Sequence, residues 1–392
     1  MSNNNLADIW ASPPLPPTGL GRHRQLAPLA GIHVSPIQLG AMSIGDKWHP
    51  WGMGSMDKES SFKLLDAYYE AVSSLLTNDA WELSFCSQDE TSELFIGEWM
   101  ELRGVREQMV IATKYSSNYK RGEKISQKTQ FVGNSLKSMH NSIEASLKKL
   151  RTDCIDIFYV HFWDYTTSVE EMMNGLHNLV VQGKVLYLGV SDTPAWIVAK
   201  ANTYAKENSK TPFVIYQGPW SILERDVERE VLPMVISEGM AFAPWNVLAA
   251  GKIRTDAEEQ KRRETGEMGR TLWGDWERNE QERKVCAALE KVAEELGAKS
   301  ITSVAIAYLM QKSPYVFPVI GGRKVEHLRA NLEALDISLA PEQIAFLESQ
   351  VPFRKGFPYD MFGDGTTYSL IGNSAGHFDK WPVQQAIRPA PK

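Results

Sequence analysis

Short apolar runs alternate with longer stretches of helical period along most of this chain, and that alternation restricts the fold more than any other feature. The runs read as strands at Ile37–Met42, Met109–Thr113, Ile155–Val160, Val185–Val190, Phe213–Tyr216, Met240–Ala243 and Tyr315–Ile320. They are largely apolar and mostly rich in Val, Ile or aromatic residues, as strands buried on both faces are. Between them, Leu136, Met139, Ile143, Leu147 and Leu150 step by 3, 4, 4 and 3 residues, which predicts one apolar helix face. Leu223, Val227, Val231 and Val235 repeat the pattern. Asp57 is placed to cap a helix carrying Phe62, Leu65 and Tyr69, and Pro194 suits a first helical turn after Ser191 and Asp192. A late helical pair is expected from about Glu277 to Leu296 and from Ile301 to Gln311. Strand and helix in alternation imply a parallel sheet with right-handed crossovers. Seven runs and an eighth strand expected near residues 74–79 give an α/β chain of eight units, a (β/α)8 TIM barrel. The rival, an open doubly wound sheet, calls for G-x-G-x-x-G after its first strand, but the first run here ends Leu39-Gly40-Ala41-Met42.

The expected organisation is a flexible N-terminal arm over residues 1–25, one barrel domain over 26–350, and a tail over 351–392 that either folds across the barrel mouth or hangs free. With 392 residues, 43% of them apolar, the chain can bury a large core. Its 42 Lys and Arg against 48 Asp and Glu leave a net charge of −6, which speaks against a nucleic-acid partner. No apolar stretch approaches the roughly 18–20 residues that span a bilayer, and the polar start MSNNNLADIWASPPLPP lacks the pattern of a signal peptide. Cys86, Cys154 and Cys286 form no C-x-x-C and no paired spacing, as expected of a cytoplasmic protein with neither disulfides nor a zinc site.

In a barrel of this kind reactive groups sit at the C-terminal ends of the strands. Residues following the runs are Lys114, His161, Ser191 with Asp192, Gln217, Pro244-Trp245-Asn246, and Gly321-Gly322-Arg323-Lys324. Singly, each has an ordinary explanation: a solvated lysine, a hydrogen-bonded histidine, a capping glutamine, a packed tryptophan, a glycine turn. Their recurrence on one strand end after another points instead to a common pocket. A metal-dependent hydrolase would need several His or carboxylate ligands there, and only His161 with nearby Asp164 qualifies.

The runs GAMSIGDKWHPWGMGSMDKESSFKLLDAYYEA, SELFIGEWM, VIATKYSS, DIFYVHFWD, GVSDTPAW, YQGPWSILERDVEREVLPM, APWNVLAAGKIRT and VIGGRKVEHLRANLEAL resemble the aldo-keto reductases. The likeness spans roughly residues 20–350, and the nearest type is the fungal aryl-alcohol dehydrogenases and norsolorinic acid reductases of toxin pathways in secondary metabolism. It implies a (β/α)8 barrel that binds NADPH without a Rossmann motif and reduces a carbonyl by hydride transfer, using an Asp, Tyr, Lys and His tetrad. Lys114 matches the lysine, whose ammonium would stabilise the tyrosinate left after proton transfer, and His161 the histidine that orients the substrate oxygen. Ser191, Asp192 and Gln217 match contacts to the nicotinamide carboxamide, with Asp192 where many relatives have Asn. Pro244, Trp245, Asn246, Leu248, Gly251, Lys252 and Arg254 would form a loop over the pyrophosphate. Gly322, Arg323, Lys324, His327 and Asn331 would hold the adenosine 2′-phosphate, whose charge suits a guanidinium and a helix start and favours NADPH over NADH.

One stretch departs from the family pattern. Where relatives read like GGNFIDTANNYQDE, this chain has AVSSLLTNDAWELSFCSQDE, about five residues longer, with no tyrosine between Tyr69 and Tyr115. Counting from the two flanks places the family's Asp at Thr77 and its Tyr at Ser87, and makes Asp79 the nearest carboxylate able to pair with Lys114. The resulting expectation is an NADPH-dependent reductase of an aryl aldehyde or aromatic polyketide ketone with weakened turnover. The alternative is a non-catalytic NADPH-binding regulator on the same fold.

Overall fold

The computed structural model describes residues 10–11, 13–48, 55–72, 81–84, 90–266 and 275–389. Among them, eight parallel strands form one sheet in the order β10-β3-β4-β5-β6-β7-β8-β9. These are β3 (Gln38–Gly40), β4 (Trp81–Ser84), β5 (Met109–Tyr115), β6 (Ile155–Val160), β7 (Val185–Ser191), β8 (Phe213–Pro219), β9 (Ala241–Trp245) and β10 (Val319–Ile320). A preceding antiparallel hairpin, β1 (Arg24–Ala27) with β2 (Ala30–Val34), stands apart from that sheet. The sheet curls until its edges meet. The Phe242 amide in β9 donates to the Tyr315 carbonyl at 2.9 Å, and the Phe317 amide donates to the Phe242 carbonyl at 2.9 Å, on the segment that runs into β10.

Parallel strands need crossovers, and helices supply them, burying one strand face while the opposite faces pack on one another. Strand β6 is accordingly buried along its whole length. Outward residues such as Phe158, Val160, Leu188 and Phe213 share a core with Met139, Ile143, Met172 and Leu176 of the surrounding helices. Inward residues Val110, Ala112, Ile157, Tyr159, Ala241, Ala243 and Phe317 form a second core with Leu26, Ala27, Ala30 and Val34, so the hairpin packs against the residues inside the curl.

The strand expected near residues 74–79 lies at Trp81–Ser84; residues 73–80 fall outside the described ones. The remaining strands fall where the apolar runs do, β7, β8 and β9 continuing into their polar ends and the last run shrinking to Val319–Ile320. Two helical readings need correction. Leu136 opens the helix Leu136–Leu150 but is 48% exposed, whereas Met139, Ile143, Leu147 and Leu150 are buried. The pattern from Leu223 to Val235 is not one helix: a 3-10 turn at Asp226–Glu228 precedes the helix Val231–Glu238. Pro233 explains the break, because its ring is tolerated only in the first turn and forbids helix four residues upstream.

The terminal segments are partly fastened. Leu20 is fully buried and Thr18 Oγ1 donates to the Ala71 carbonyl at 2.6 Å, so the chain just before β1 is packed at these two residues. In the tail, Gln384 Nε2 donates to the Tyr315 hydroxyl at 3.1 Å and an Arg388 guanidinium donates to the Leu339 carbonyl at 2.6 Å. Tyr315 precedes β10, so this tether lies at the end of the sheet opposite the polar strand tips.

Candidate active site

Strand β5 carries Lys114 beside Tyr159 of β6, the two being register partners, with the ammonium 5.2 Å from the ring centroid of Tyr159. Tyr159 is fully buried, and its ring occupies the place where a side chain would stand on β7: a Cβ at Gly189 would come within 2.5 Å of it. Glycine there leaves room for the Tyr159 ring that the Lys114 ammonium overlies.

His161 follows β6, its amide bonded to the Tyr115 carbonyl at 3.0 Å and its Nδ1 2.7 Å from Ser117 Oγ. Burial, and then the Lys114 charge, push the imidazole down to about 3, so the ring is neutral at physiological pH. Ser191 and Gln217, both buried, are register partners at the ends of β7 and β8. The next residue, Asp192, adopts the left-handed region at φ 45° and donates its amide to the Gln217 carbonyl at 3.1 Å. Trp245 Nε1 at the end of β9 donates to Asp192 Oδ1 at 3.1 Å. Although Asp192 is open to solvent at the rim, burial of its carboxyl against the neighbouring walls raises its pKa, and the Trp245 bond and Lys114 charge offset this only in part.

After β9 the chain turns tightly. Asn246, Ala249 and Ala250 all have positive φ, and the Ala250 amide donates to Asn246 Oδ1 at 2.7 Å while Asn246 Nδ2 donates to Glu224 Oε2 at 3.1 Å. Left-handed backbone at three non-glycine residues within five positions is strain that local bonding must hold in place. Two residues of the expected cofactor loop also have partners within the protein. Arg254, 3% exposed, donates to Glu259 Oε2 at 2.6 Å and to the Gly251 carbonyl at 2.7 Å. Lys252 bonds the Glu277 carbonyl and pairs with Glu282 at 3.2 Å. A buried guanidinium requires a carboxylate partner, and Glu259 provides one to Arg254, Arg278 and Arg283 together. Burial pushes the Glu259 carboxyl up, but hydrogen bonds from Arg278, Arg254 and Arg283 outweigh it and bring the pKa down to about 2.

Beyond β10, Gly321-Gly322-Arg323 leads into the helix Val325–Leu332, with Lys324 as its N-cap residue. Arg323, Lys324 and His327 are exposed, whereas Leu328 and Leu332 face the core. Asn331 is buried and accepts from Thr302 Oγ1 at 3.0 Å, which makes it a tether of this helix. A Cβ at Gly322 would meet no atom within 4 Å, and one at Gly321 would approach only the Gly40 carbonyl at 3.6 Å, so the backbone before the helix stays open to a ligand.

The sheet thus brings Lys114, His161, Ser191, Asp192, Gln217 and Trp245 to one end of five consecutive strands and, through the meeting of its edges, sets Arg323, Lys324 and His327 beyond the neighbouring strand tip. Pro244, buried, and Leu248, half-buried, belong to the strand end and turn between them. Asp79, Thr77 and Ser87 lie outside the described residues. Neither Tyr115 nor Tyr119, the tyrosines that follow Lys114 in sequence, offers a usable phenol. Tyr115 is fully buried, stacked on Phe158 at 5.3 Å, with burial raising its pKa well above the usual value. The Tyr119 hydroxyl donates to the Asn141 carbonyl at 3.0 Å and is pushed up to about 12 by burial and then by Glu90. Sequence reasoning missed Ser117, three residues past Lys114, and the Glu259 cluster, whose members lie too far apart in sequence to form a motif.

Residues 36–351 match the family model described as the aldo/keto reductase family, and the chain belongs to that family. It is 71% identical over 387 residues to an aryl-alcohol dehydrogenase [NADP(+)] of Phanerodontia chrysosporium, covering 97% of this chain and 99% of that one. It is 47% identical over 367 residues to an aldo-keto reductase of Emericella nidulans, with coverage of 93% and 90%. It is also 45% identical over 392 residues to norsolorinic acid reductase A of Aspergillus parasiticus, with 97% of each chain covered. The chain is therefore an oxidoreductase, and NADPH/NADP+ is the cofactor pair of its family. Among the described residues no helix is long and apolar enough to cross a membrane.

Proposed function

We propose that this protein reduces an aryl aldehyde or an aromatic polyketide ketone to the alcohol with NADPH, on a closed (β/α)8 barrel, and that its turnover is weak because the segment that carries the family's Tyr has diverged. The single observation behind the reading is the placement of Lys114, His161, Ser191, Asp192, Gln217 and Trp245 on the tips of successive strands. The barrel reading rests on the bonds that join Phe242 of β9 to Tyr315 and Phe317.

The donor set fits the cofactor. Ser191 and Gln217 present polar groups at buried strand ends for a carboxamide, the turn at Asn246–Gly251 flanks them, and Arg323 with Lys324 opens a helix where a phosphate is favoured. Bound there, the reduced nicotinamide would supply a hydride to the carbonyl carbon. Everything else falls to the chain. His161, neutral because of its burial, donates from Nε2 to the substrate oxygen when Ser117 donates to Nδ1, which fixes the tautomer and the orientation. Lys114, held over Tyr159, stabilises negative charge growing on that oxygen. With no tyrosine between Tyr69 and Tyr115, the strong general acid of the family is missing, and the loss is worth about 100- to 10,000-fold in rate.

Steady-state assays of aromatic aldehydes with NADPH test this, together with calorimetric titration. The expected result is clear heat of NADPH binding with slow reduction. Rates typical of an intact reductase would overturn the impaired-acid reading, and absence of binding by well-folded protein would overturn the site itself.

A further inference from the structure

The bond between Trp245 and Asp192 spans a strand. Asp192 follows β7 and Trp245 ends β9, with β8 lying between them, so the 3.1 Å contact from Trp245 Nε1 to Asp192 Oδ1 crosses over the tip of β8, above Gln217. The Asp192 amide is fastened to the Gln217 carbonyl at 3.1 Å, and its φ of 45° is a conformation that few side chains adopt without such restraint. The carboxylate is thereby aimed across the mouth. On one side it feels the Lys114 ammonium of β5, and on the other the Glu224 carboxylate of the loop after β8, itself bonded by Asn246 Nδ2 at 3.1 Å. An asparagine could satisfy Trp245 equally well, since its amide oxygen accepts the same bond. What aspartate adds is a negative charge.

We propose that Asp192 discriminates between the two redox states of the cofactor, its charge favouring the oxidised form over the reduced one. This rests on the placement of the nicotinamide argued above. Hydride leaves a neutral dihydropyridine ring with its electron pair, and the ring that remains is a pyridinium cation, so a fixed carboxylate beside it attracts product and not reactant. The same charge would deepen the equilibrium of the bound state toward alcohol and NADP+ and slow release of NADP+. A neutral residue at this position would leave the two forms more evenly held.

The test compares wild type with Asp192→Asn and Asp192→Ser by calorimetric titration of NADP+ and of NADPH at pH 8, with thermal melts to confirm folding. Both variants are expected to lower the ratio of NADP+ to NADPH affinity by about three- to tenfold, the size of one charge–charge attraction in a partly solvated cleft, mainly through weaker NADP+ binding. An unchanged ratio in variants that still bind both forms overturns the proposal and leaves the site reading standing. Asn and Ser variants that disagree, one shifting the ratio and the other not, would assign the effect to shape and overturn it as well. Wild type that binds neither form fails the site reading, a separate outcome.

Discussion

The two sides of the strand-tip ring are built differently. On one side, from β6 round to β9, every strand is bound to its neighbour at four or five register positions, and its tip residues are bonded across strands: Asp192 to Gln217, Trp245 to Asp192, Asn246 to Glu224. On the other side, among the described residues, β3 pairs with β4 at two positions, Leu39 with Leu83 and Gly40 with Ser84. That second side is also where the sequence leaves the family pattern. Holding a dinucleotide needs many fixed partners, and in the proposed reading they lie on the first side. In that reading the acid that completes the chemistry belongs to a single strand end, so one local change would remove it and leave the binding half intact.

The largest effect should come from replacing residues 72–87 by a segment carrying the family's Asp and Tyr. If the two sides are independent, kcat rises by about 100- to 10,000-fold while NADPH affinity stays within a factor of about two. A change confined to KM would show that the segment shapes the pocket and does not carry the acid.

Glu259→Gln strikes the other side at its foundation. Leaving Arg254 with a neutral partner, and Arg278 and Arg283 with Asp256 as their remaining carboxylate, should cost about 3–5 kcal/mol, read by chemical denaturation. Wild type carries the matching pH signature. Its Glu259 pKa is depressed to about 2 from 4.5, so the stabilisation is fully present above about 4.5 and is lost as pH falls toward about 2. The variant should lack that component of the acid transition.

Gly189→Ala probes the support beneath Lys114. The new methyl meets the Tyr159 ring, and the expected cost is about 1–3 kcal/mol with a fall in kcat, because the ring that positions the ammonium must move. An unaltered melting temperature and kcat would show that Tyr159 has room to shift.

The smallest effect is expected from Arg323→Ala. Losing a guanidinium from the start of helix Val325–Leu332 should weaken NADPH by about tenfold and leave NADH nearly unchanged. Equal loss for both cofactors would move the 2′-phosphate away from this helix.

Much of the architecture was legible in one dimension. The strands of a parallel sheet are buried on both faces, so they are continuous apolar runs, and the polar residue that ends each run marks where the chain leaves the core. Lys114, His161, Ser191 and Gln217 were visible for that reason. The hairpin at Arg24–Val34 was not, because its burial depends on filling the inside of the curl and not on periodicity. Leu136 and the stretch from Leu223 to Val235 misled because period alone cannot say where a helix begins.

What the sequence decided by itself, then, is the alternation of strand and helix, the family, and the absence of a tyrosine between Tyr69 and Tyr115, each a property of residues in order. Which partners the polar side chains meet inside the protein was decided only in three dimensions. Lys252, Arg254 and Asn331 each meet an internal partner, Glu282, Glu259 and Thr302 respectively, that no motif along the chain announces. The reason is physical: a charge or amide taken out of water must find its partner within about 3 Å, and sequence spacing carries no information about who that neighbour will be.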